Sequence, residues 1–416
     1  MKKILILLSV FSFVPAFAQW EANVLDLTTN DLVYDAVTNK LYASIPSANG
    51  SNGNSIGIIN IQTPTLENTV FIGSEPTVLC ITDDGQYIYA GFSGSAIVRR
   101  FNIAAQTAGL QFALGSDSFL GQFYAADIEA VPGQPGAVAV SRKYTSVSPE
   151  FAGVAVYDEG VVRASVVNRS GGEISNQIEF KDSTTLFGYN NETTGFDFNR
   201  MAVNAGGVTL VGNYGNTPSG YNFSLDFTFA QDKAFFTNGS VVDATATPFI
   251  SGTFANANGP VAYDYANNLA CYASSQNESL TFKRYNPETF LLQDALAING
   301  VFGNAKSIVT CGNGYYAFNT TDNKVVILHD TSLGIEVPIA NGLKLYPNPA
   351  SDIVKIDIAN SLTIEKAAIF GSTGIKVYES KPDNKSINIS NLSSGVYLVQ
   401  LTDNNNNIYT KKIIKL

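Results

Sequence analysis

One four-strand unit recurs seven times along most of this chain, and that recurrence constrains the fold more than any other feature. "LVYDAVTNKLYAS" at 32–44 and "PVAYDYANNLACYASS" at 260–275 both carry an apolar pair, Tyr-Asp, a polar turn and a strand ending Tyr-Ala-Ser. Weaker copies begin near 78, 127, 176, 225 and 307. Anchors in the first strand of each copy are Val33, Cys80, Ile128, Ile178, Phe227, Ala262 and Ile308, at intervals of 47, 48, 50, 49, 35 and 46 residues. A period near 47 is the length of four short strands, the blade of a β-propeller. Two β-sandwiches would also use short strands, but would not repeat one unit seven times.

The first copy shows what a blade needs. Leu32–Tyr34 and Lys40–Ser44 form a hairpin around Thr38-Asn39, followed by "SIGIINI" at 55–61 and "NTVFI" at 68–72. Aromatic and β-branched residues fill the strands, while Gly, Asn, Asp and Pro fill the turns. The last copy offers three strands, at Ser307–Thr310, Tyr315–Asn319 and Lys324–His329; "NVLDL" at 23–27 is a spare strand ahead of the first. The expectation is that this spare strand completes the last blade and removes its open edge.

"YDAVTNKLYAS", the strand "SIGIINI", the Gly-x-x-Pro link at Gly73–Pro76 and the "TDDGQYIYAG" turn resemble the YVTN-type, lactonase-like propeller repeat. The resemblance is closest from Asn30 to Phe101. It implies a propeller over 19–333 and leaves function open, because that family spans enzymes, binding proteins and surface proteins.

From Leu343 the chain changes character. "LKLYPNPASD" opens a segment of short strands: "IVKIDI" at 353–358, "KAAIF" and "IKVYE" flanking "GSTG", "INI" at 387–389, and "GVYLVQL" at 395–401 pairing with "IYTKKIIKL" at 408–416. These describe a small Ig-like β-sandwich. The segment 343–416 resembles the type A C-terminal sorting domain of the type IX secretion system of Bacteroidetes. The resemblance rests on Leu345, Tyr346, Pro347, Asn348 and Pro349, on Gly371 and Gly374, on Leu392 to Tyr397 with Gly395, and on the basic end at Lys411 and Lys412. It implies recognition by that machinery at the outer membrane, then release or surface anchoring after removal of the tail. Residues 334–342 read as the connector.

The start of the chain fits export. Lys2 and Lys3 precede an apolar run from Ile4 to Val14, too short to span a bilayer, and Ala16-Phe17-Ala18 gives a small-x-small site. Residues 1–18 therefore read as a signal peptide cleaved between Ala18 and Gln19. No later stretch is long and apolar enough for a transmembrane helix. Charged residues make up only 14% of the chain, against roughly 25% in an average soluble protein. The polar surface must then come from Asn, Ser, Thr, Gln and Gly, as in many secreted β proteins. Charge is also split: 343–416 holds nine Lys against six acids, while the body holds 14 basic and 29 acidic residues. A body with a net charge of −15 does not bind nucleic acid through phosphates.

Chemistry-bearing motifs are sparse. Cys80, Cys271 and Cys311 form no CxxC pair and read as buried strand residues. His329 is the one histidine. It reads as a strand residue, and His-based metal sites need a second one. There is no GxSxG and no Walker glycine loop. "TDDGQ" at 82–86 reads as a hairpin turn, not a calcium loop. Asp35, Asp127, Glu129, Glu179, Asp226 and Asp264 all lie in or near first strands. They could line the axial channel and hold a structural cation; the simpler expectation is that they cap blade turns. Arg142, Lys143, Arg200, Lys283 and Arg284 are the few basic groups available to a lactonase-like mouth. Tyr42, Tyr89, Tyr272 and Tyr316 recur at the same blade positions and read as packing between blades. No catalytic residue, cofactor or metal site is assigned. The reading is a secreted or surface-anchored binding or scaffold protein with an unidentified extracellular ligand. The alternatives are a secreted propeller hydrolase or lyase, lactonase-like and calcium-dependent, and a purely structural surface module.

Overall fold

The computed structural model describes residues 20–416 except 170–173, 221, 332–343, 358–363, 371–375, 383–384 and 404–407. The chain divides into two compact units, Met1–Thr331 and Ser332–Leu416. The first contains seven four-stranded antiparallel sheets, the blades of a propeller. Blade 1 runs Leu32–Asp35, Lys40–Ile45, Ser55–Asn60 and Thr65–Phe71. Blades 2 to 6 repeat this meander, with first strands Pro76–Ile81, Tyr124–Ala130, Gln177–Asp182, Phe227–Ala230 and Val261–Asp264.

Blade 7 is built from both ends of the unit. Ala305–Thr310, Tyr315–Thr320 and Lys324–Asp330 supply three strands, and the N-terminal Trp20–Asp26 supplies the fourth. That strand pairs in register from Trp20↔Asp330 to Asp26↔Lys324, three residues longer at its start than the sequence pattern indicated. Every main-chain edge group along Lys324–Asp330 thereby gains a neighbour.

Each blade interface encloses one apolar cluster. Between blades 1 and 2, for example, Tyr42, Ile56 and Ile58 meet Ile88, Phe92 and Phe101. Blades 4 and 5 meet through phenylalanine: Phe187 stacks on Phe198 at 5.0 Å and on Phe229 at 4.9 Å, contacts that add roughly 0.5–1.5 kcal/mol each beyond area burial.

The four second-strand tyrosines are buried, but they do not share one blade position. Tyr42 and Tyr89 pack toward the following blade; Tyr272 and Tyr316 pack toward the preceding one. Tyr42 lies opposite Val33, whereas Tyr272 lies opposite Val261, the equivalent of Leu32. An offset of one residue in a strand moves a side chain to the other sheet face.

The second unit has seven strands in two sheets. Lys344–Tyr346, Ile353–Asp357 and Ser386–Asn388 form one; Lys376–Ser380, Ile364–Phe370, Gly395–Asp403 and Ile408–Lys415 form the other. Val354, Ile356, Ala367, Ile369, Ile387, Val399, Leu401 and Ile413 fill the space between them.

Candidate functional site: the acidic axial mouth

First strands line the propeller axis, and their alternation sends every second side chain toward it. One end of the axis opens into a cavity of ≈ 240 Å³ lined by Asp31, Asp127, Glu129, Glu179, Asp226 and Lys306, with Thr228, Thr237 and Ser307 among them. Turn capping therefore fails as the account of four of the six acids. The two at the far ends of their strands do cap turns. Asp35 accepts from Val37 N (3.0 Å) and Thr38 N (2.9 Å). Asp264 accepts from Ala266 N and Asn267 N and from the Tyr316 hydroxyl at 2.6 Å.

Two aspartates of the mouth join neighbouring blades. Asp31 accepts Leu32 N and, across the interface, Leu79 N, both at 2.8 Å. Asp127 repeats the arrangement one blade pair further on, with Ile128 N at 2.9 Å and Ile178 N at 2.7 Å. Asp226 accepts Phe227 N at 2.7 Å. Each carboxylate satisfies main-chain donors that a packed interface would otherwise strand.

Their proximity has an electrostatic cost. Burial, then the charge of Asp226, holds the Asp127 carboxyl well above the ordinary range. Burial and the neighbouring Glu179 and Asp127 do the same for Glu129; burial, Asp127 and Asp226 do so for Glu179. Asp226 stands at the open rim, accessible to water, yet enclosure by protein raises it to about 6. Asp31 is raised least clearly, because N–H donors and the Lys306 cation offset its burial. Lys306 itself is lowered, mainly by burial, and donates to Thr29 O. The mouth therefore gathers five carboxyls whose charged forms are disfavoured by burial and by one another.

The opposite end of the axis is apolar. Tyr34, Ile81, Tyr263, Tyr265 and Val309 surround a shallow cavity of ≈ 260 Å³.

The other candidates fall elsewhere. None of Arg142, Lys143, Arg200, Lys283 and Arg284 lines the mouth. Arg284 is buried against Asp330 at 2.7 Å, Arg200 donates to Ala244 O, and Lys283 donates to Asn256 O. His329 stacks on Tyr315 at 3.9 Å, with Nδ1 3.8 Å from Glu21. The "TDDGQ" segment is a turn: Thr82 donates to Asp84 (2.7 Å), Asp83 reaches across to Gly133 N, and Gly85 takes φ +66°. The three cysteines are buried free thiols. Among the described residues, no three of His, Cys, Asp or Glu are grouped to hold a metal ion.

Asp31 and Lys306 were missed by the sequence reading. Asp31 precedes its strand, and Lys306 lies two residues ahead of the repeat anchor. The signal that could have found Asp31 is the pair Asp31-Leu32, which matches Asp127-Ile128 and Asp226-Phe227 once the first repeat is anchored on Leu32 instead of Val33.

In the second unit, the proline-rich signature and the basic C-terminus come together across 66 residues of sequence. Asn348 Oδ1 accepts Ile414 N at 2.8 Å, Ala350 N donates to Ile414 O at 2.8 Å, and Leu416 N donates to Ala350 O at 2.9 Å. Leu345 and Tyr397 pack on the apolar core, and the Tyr397 hydroxyl donates to Ser393 O. Tyr346, Pro347 and Pro349 are exposed. Gly395 pairs with Lys415, Leu398 with Lys412, and Val399 with Lys411. Gly374, Ala18 and Gln19 lie outside the described residues.

Residues 344–416 match the family described as the secretion system C-terminal sorting domain. This is a protein sorted by the type IX secretion system. Such cargo is exported and then secreted or attached to the cell surface, so the protein is of the Bacteroidetes type. Among the described residues no helix is long and apolar enough to cross a membrane.

Solved propellers resemble the cargo in fold. The β-propeller domain of Cps50 (Swd1) from Myceliophteria thermophila gives a TM-score of 0.56 at 11% identity, over 74% of this chain and 98% of that one. The WD40 propeller of Doa1 gives 0.54 at 11%, over 77% and 100%. Kuenenia stuttgartiensis hydrazine synthase gives 0.53 at 14%, over 73% and 96%. At such identities only the fold is shared.

Two curated proteins also match. Ulvan lyase NLR42 of Nonlabens ulvanivorans is 33% identical over 102 residues, and an endo-acting ulvan lyase of Formosa agariphila is 35% identical over 106. Each match takes 24% of this chain and only a fifth of the relative (19% and 20%). A stretch of that length is too short to hold seven blades.

Proposed function

We propose that the cargo is an exported binding or scaffold protein whose ligand docks on the propeller face around the acidic mouth. The observation that carries this reading is where the long connections lie. Segments 46–54, 114–123, 144–150, 163–176, 190–197 and 215–226 all join strands at the end where first strands begin, which is the end occupied by Asp31, Asp127 and Asp226. The opposite face has shorter turns. Ligand-binding loops on a rigid scaffold have this form. The mouth's acceptors suit a ligand that presents a cationic or hydroxyl-rich group.

Export, in this reading, starts with cleavage between Ala18 and Gln19 and ends with removal of 343–416 beyond the 334–342 connector, leaving the propeller of 19–333. The contact surface for the machinery takes in Leu345 to Pro349, Gly395, Tyr397 and Lys411, with Gly374 and Lys412 assigned to it from the sequence motif alone. Intact mass of the exported protein tests this. A species running from about Gln19 to about Gly342 supports both cuts; a species still carrying Leu416 overturns the second.

A second reading has one observation in its favour. Glu129 and Glu179 sit in the same cavity with carboxyls raised by burial and by neighbouring carboxylates, the condition of a general acid. A secreted hydrolase or lyase would use that pair. Turnover of a polysaccharide, lost in Glu129→Gln and Glu179→Gln, would establish it; saturable binding to the parent without turnover supports the binding protein.

A further inference from the structure

Blade 3 carries an insertion that the acidic mouth does not use. Ahead of its first strand the chain makes an extra hairpin, Ser116–Asp117 against Gly121–Gln122, closed at its base where Phe123 N donates to Gly115 O at 3.0 Å. Asp117 Oδ1 accepts both tip amides, Phe119 N at 2.8 Å and Leu120 N at 2.9 Å. This formed turn displays Phe119 at 94% exposure. Burying such a ring is worth about 1.5–3 kcal/mol, so the hairpin holds a substantial apolar contact in reserve.

The base of the hairpin rests on one arginine, and a second lies one ring further on. Phe123 meets Tyr144 edge to face at 5.5 Å. The Arg142 guanidinium lies over Phe123 at 4.7 Å, and that of Arg169 over Tyr144 at 5.8 Å. The chain has seven arginines. Arg99, Arg100, Arg163, Arg200 and Arg284 each end on a carboxylate or a main-chain carbonyl. Among the described residues Arg142 and Arg169 meet neither. Arg142 is 6% exposed, and its Nε has no hydrogen-bond partner. A buried cation without a counter-charge is costly, and ring faces return only about 0.5–2 kcal/mol. The charge is therefore incompletely neutralised, at the base of the hairpin whose tip carries the exposed Phe119, in a body rich in carboxylates.

We propose that this rim is a second ligand site, for an acidic polysaccharide. A sugar ring stacks on Phe119, and Arg169 takes the carboxylate or sulfate of that residue or the next, in the planar geometry a guanidinium favours. Arg142 sits beneath Phe123 and supplies the field. The body's net negative charge does not forbid this, since charges beyond about 8 Å are largely screened at physiological salt. A saccharide is favoured over an acidic peptide because the outer strand here, Val161–Val162, has two residues, too few to template an added strand.

The test is affinity electrophoresis of the mature full-length protein in gels containing polygalacturonate, dextran sulfate, neutral dextran or polyglutamate. The expected result is retardation by one or both acidic polysaccharides and none by dextran. Phe119→Ala and Arg169→Gln should each weaken binding at least about fivefold, equivalent to ~1 kcal/mol. Arg169→Lys should retain part of it, and Lys40→Gln, which removes a cation of blade 1 paired with Glu67, should leave it unchanged, which separates this site from general attraction to positive charge. Absence of retardation by either polysaccharide overturns the proposal, as do unaltered binding in Phe119→Ala or Arg169→Gln and equal retardation by polyglutamate. Phe119 touches little of the fold, so its variant remains informative if an arginine variant fails to fold.

Discussion

Arg284 offers the sharpest test of how the ring is held shut. It projects from the third strand of blade 6, Ser279–Tyr285, and is 5% exposed. Its guanidinium is paired with Asp330, at the end of blade 7 and 0% exposed, at 2.7 Å, and with the more accessible Asp294 on the adjoining strand. It donates to the Tyr316 hydroxyl at 3.2 Å and lies under the Trp20 ring at 4.6 Å. Trp20 opens the strand that closes the propeller, so one side chain joins blade 6, blade 7 and the N-terminus. Arg284→Met leaves Asp330 buried without its guanidinium, a change that costs about 3–5 kcal/mol. Unfolding entropy near 2.1 cal/mol/K per residue gives a body of roughly 310 residues ~0.65 kcal/mol/K, so the melting temperature should fall by about 6 °C. The double variant Arg284→Met, Asp330→Leu removes both charges and should recover most of that loss, because a buried pair exchanged for apolar groups is close to neutral. Differential scanning calorimetry of the parent, both singles and the double completes the cycle. A single variant melting within a degree of the parent, or a double as unstable as the two singles combined, would refute the reasoning.

Other outcomes follow from the mouth and the second unit. Folding raises Asp127, Glu129, Glu179 and Asp226, so the folded state binds more protons; stability is fully present below the unfolded carboxyl range and is lost as pH rises through about 6, where Asp226 titrates. Thermal melts should therefore show a more stable propeller at pH 5 than at pH 8, with Glu129→Gln raising the melting temperature at pH 8 and narrowing that difference. Asp127→Ala should instead destabilise by about 1–3 kcal/mol, because Ile128 N and Ile178 N lose their acceptor; equal melts for Asp127→Ala and Glu129→Gln would deny the division between joint and surplus charge. Deleting 344–416 should leave the protein inside the outer membrane by cell fractionation, with the propeller melt unchanged.

Much of this was legible beforehand for physical reasons. Strand alternation and turn chemistry are local, so seven repeats, the spare strand before Leu32 and the module after Leu343 can be read from spacing. The acids were legible as types but not as a site. Asp35 and Asp264 share the first strands with Asp127 and Glu179 yet end at turns, and bulges such as that between Ala125 and Asp127 shift which residue faces the axis. The tyrosine positions failed for a related reason, since one residue of offset changes the sheet face.

What the sequence determined by itself is the unit, its number and the address behind it, because each rests on patterns that neighbouring residues impose on one another. Only the tertiary structure decided that acids from four different blades share one cavity, that Lys306 joins them, and that Arg142 lies over the ring at the base of an inserted hairpin with Arg169 over the neighbouring Tyr144. Closing the ring brings together residues some 50 to 280 positions apart, and no local rule of strand or turn carries information over that distance.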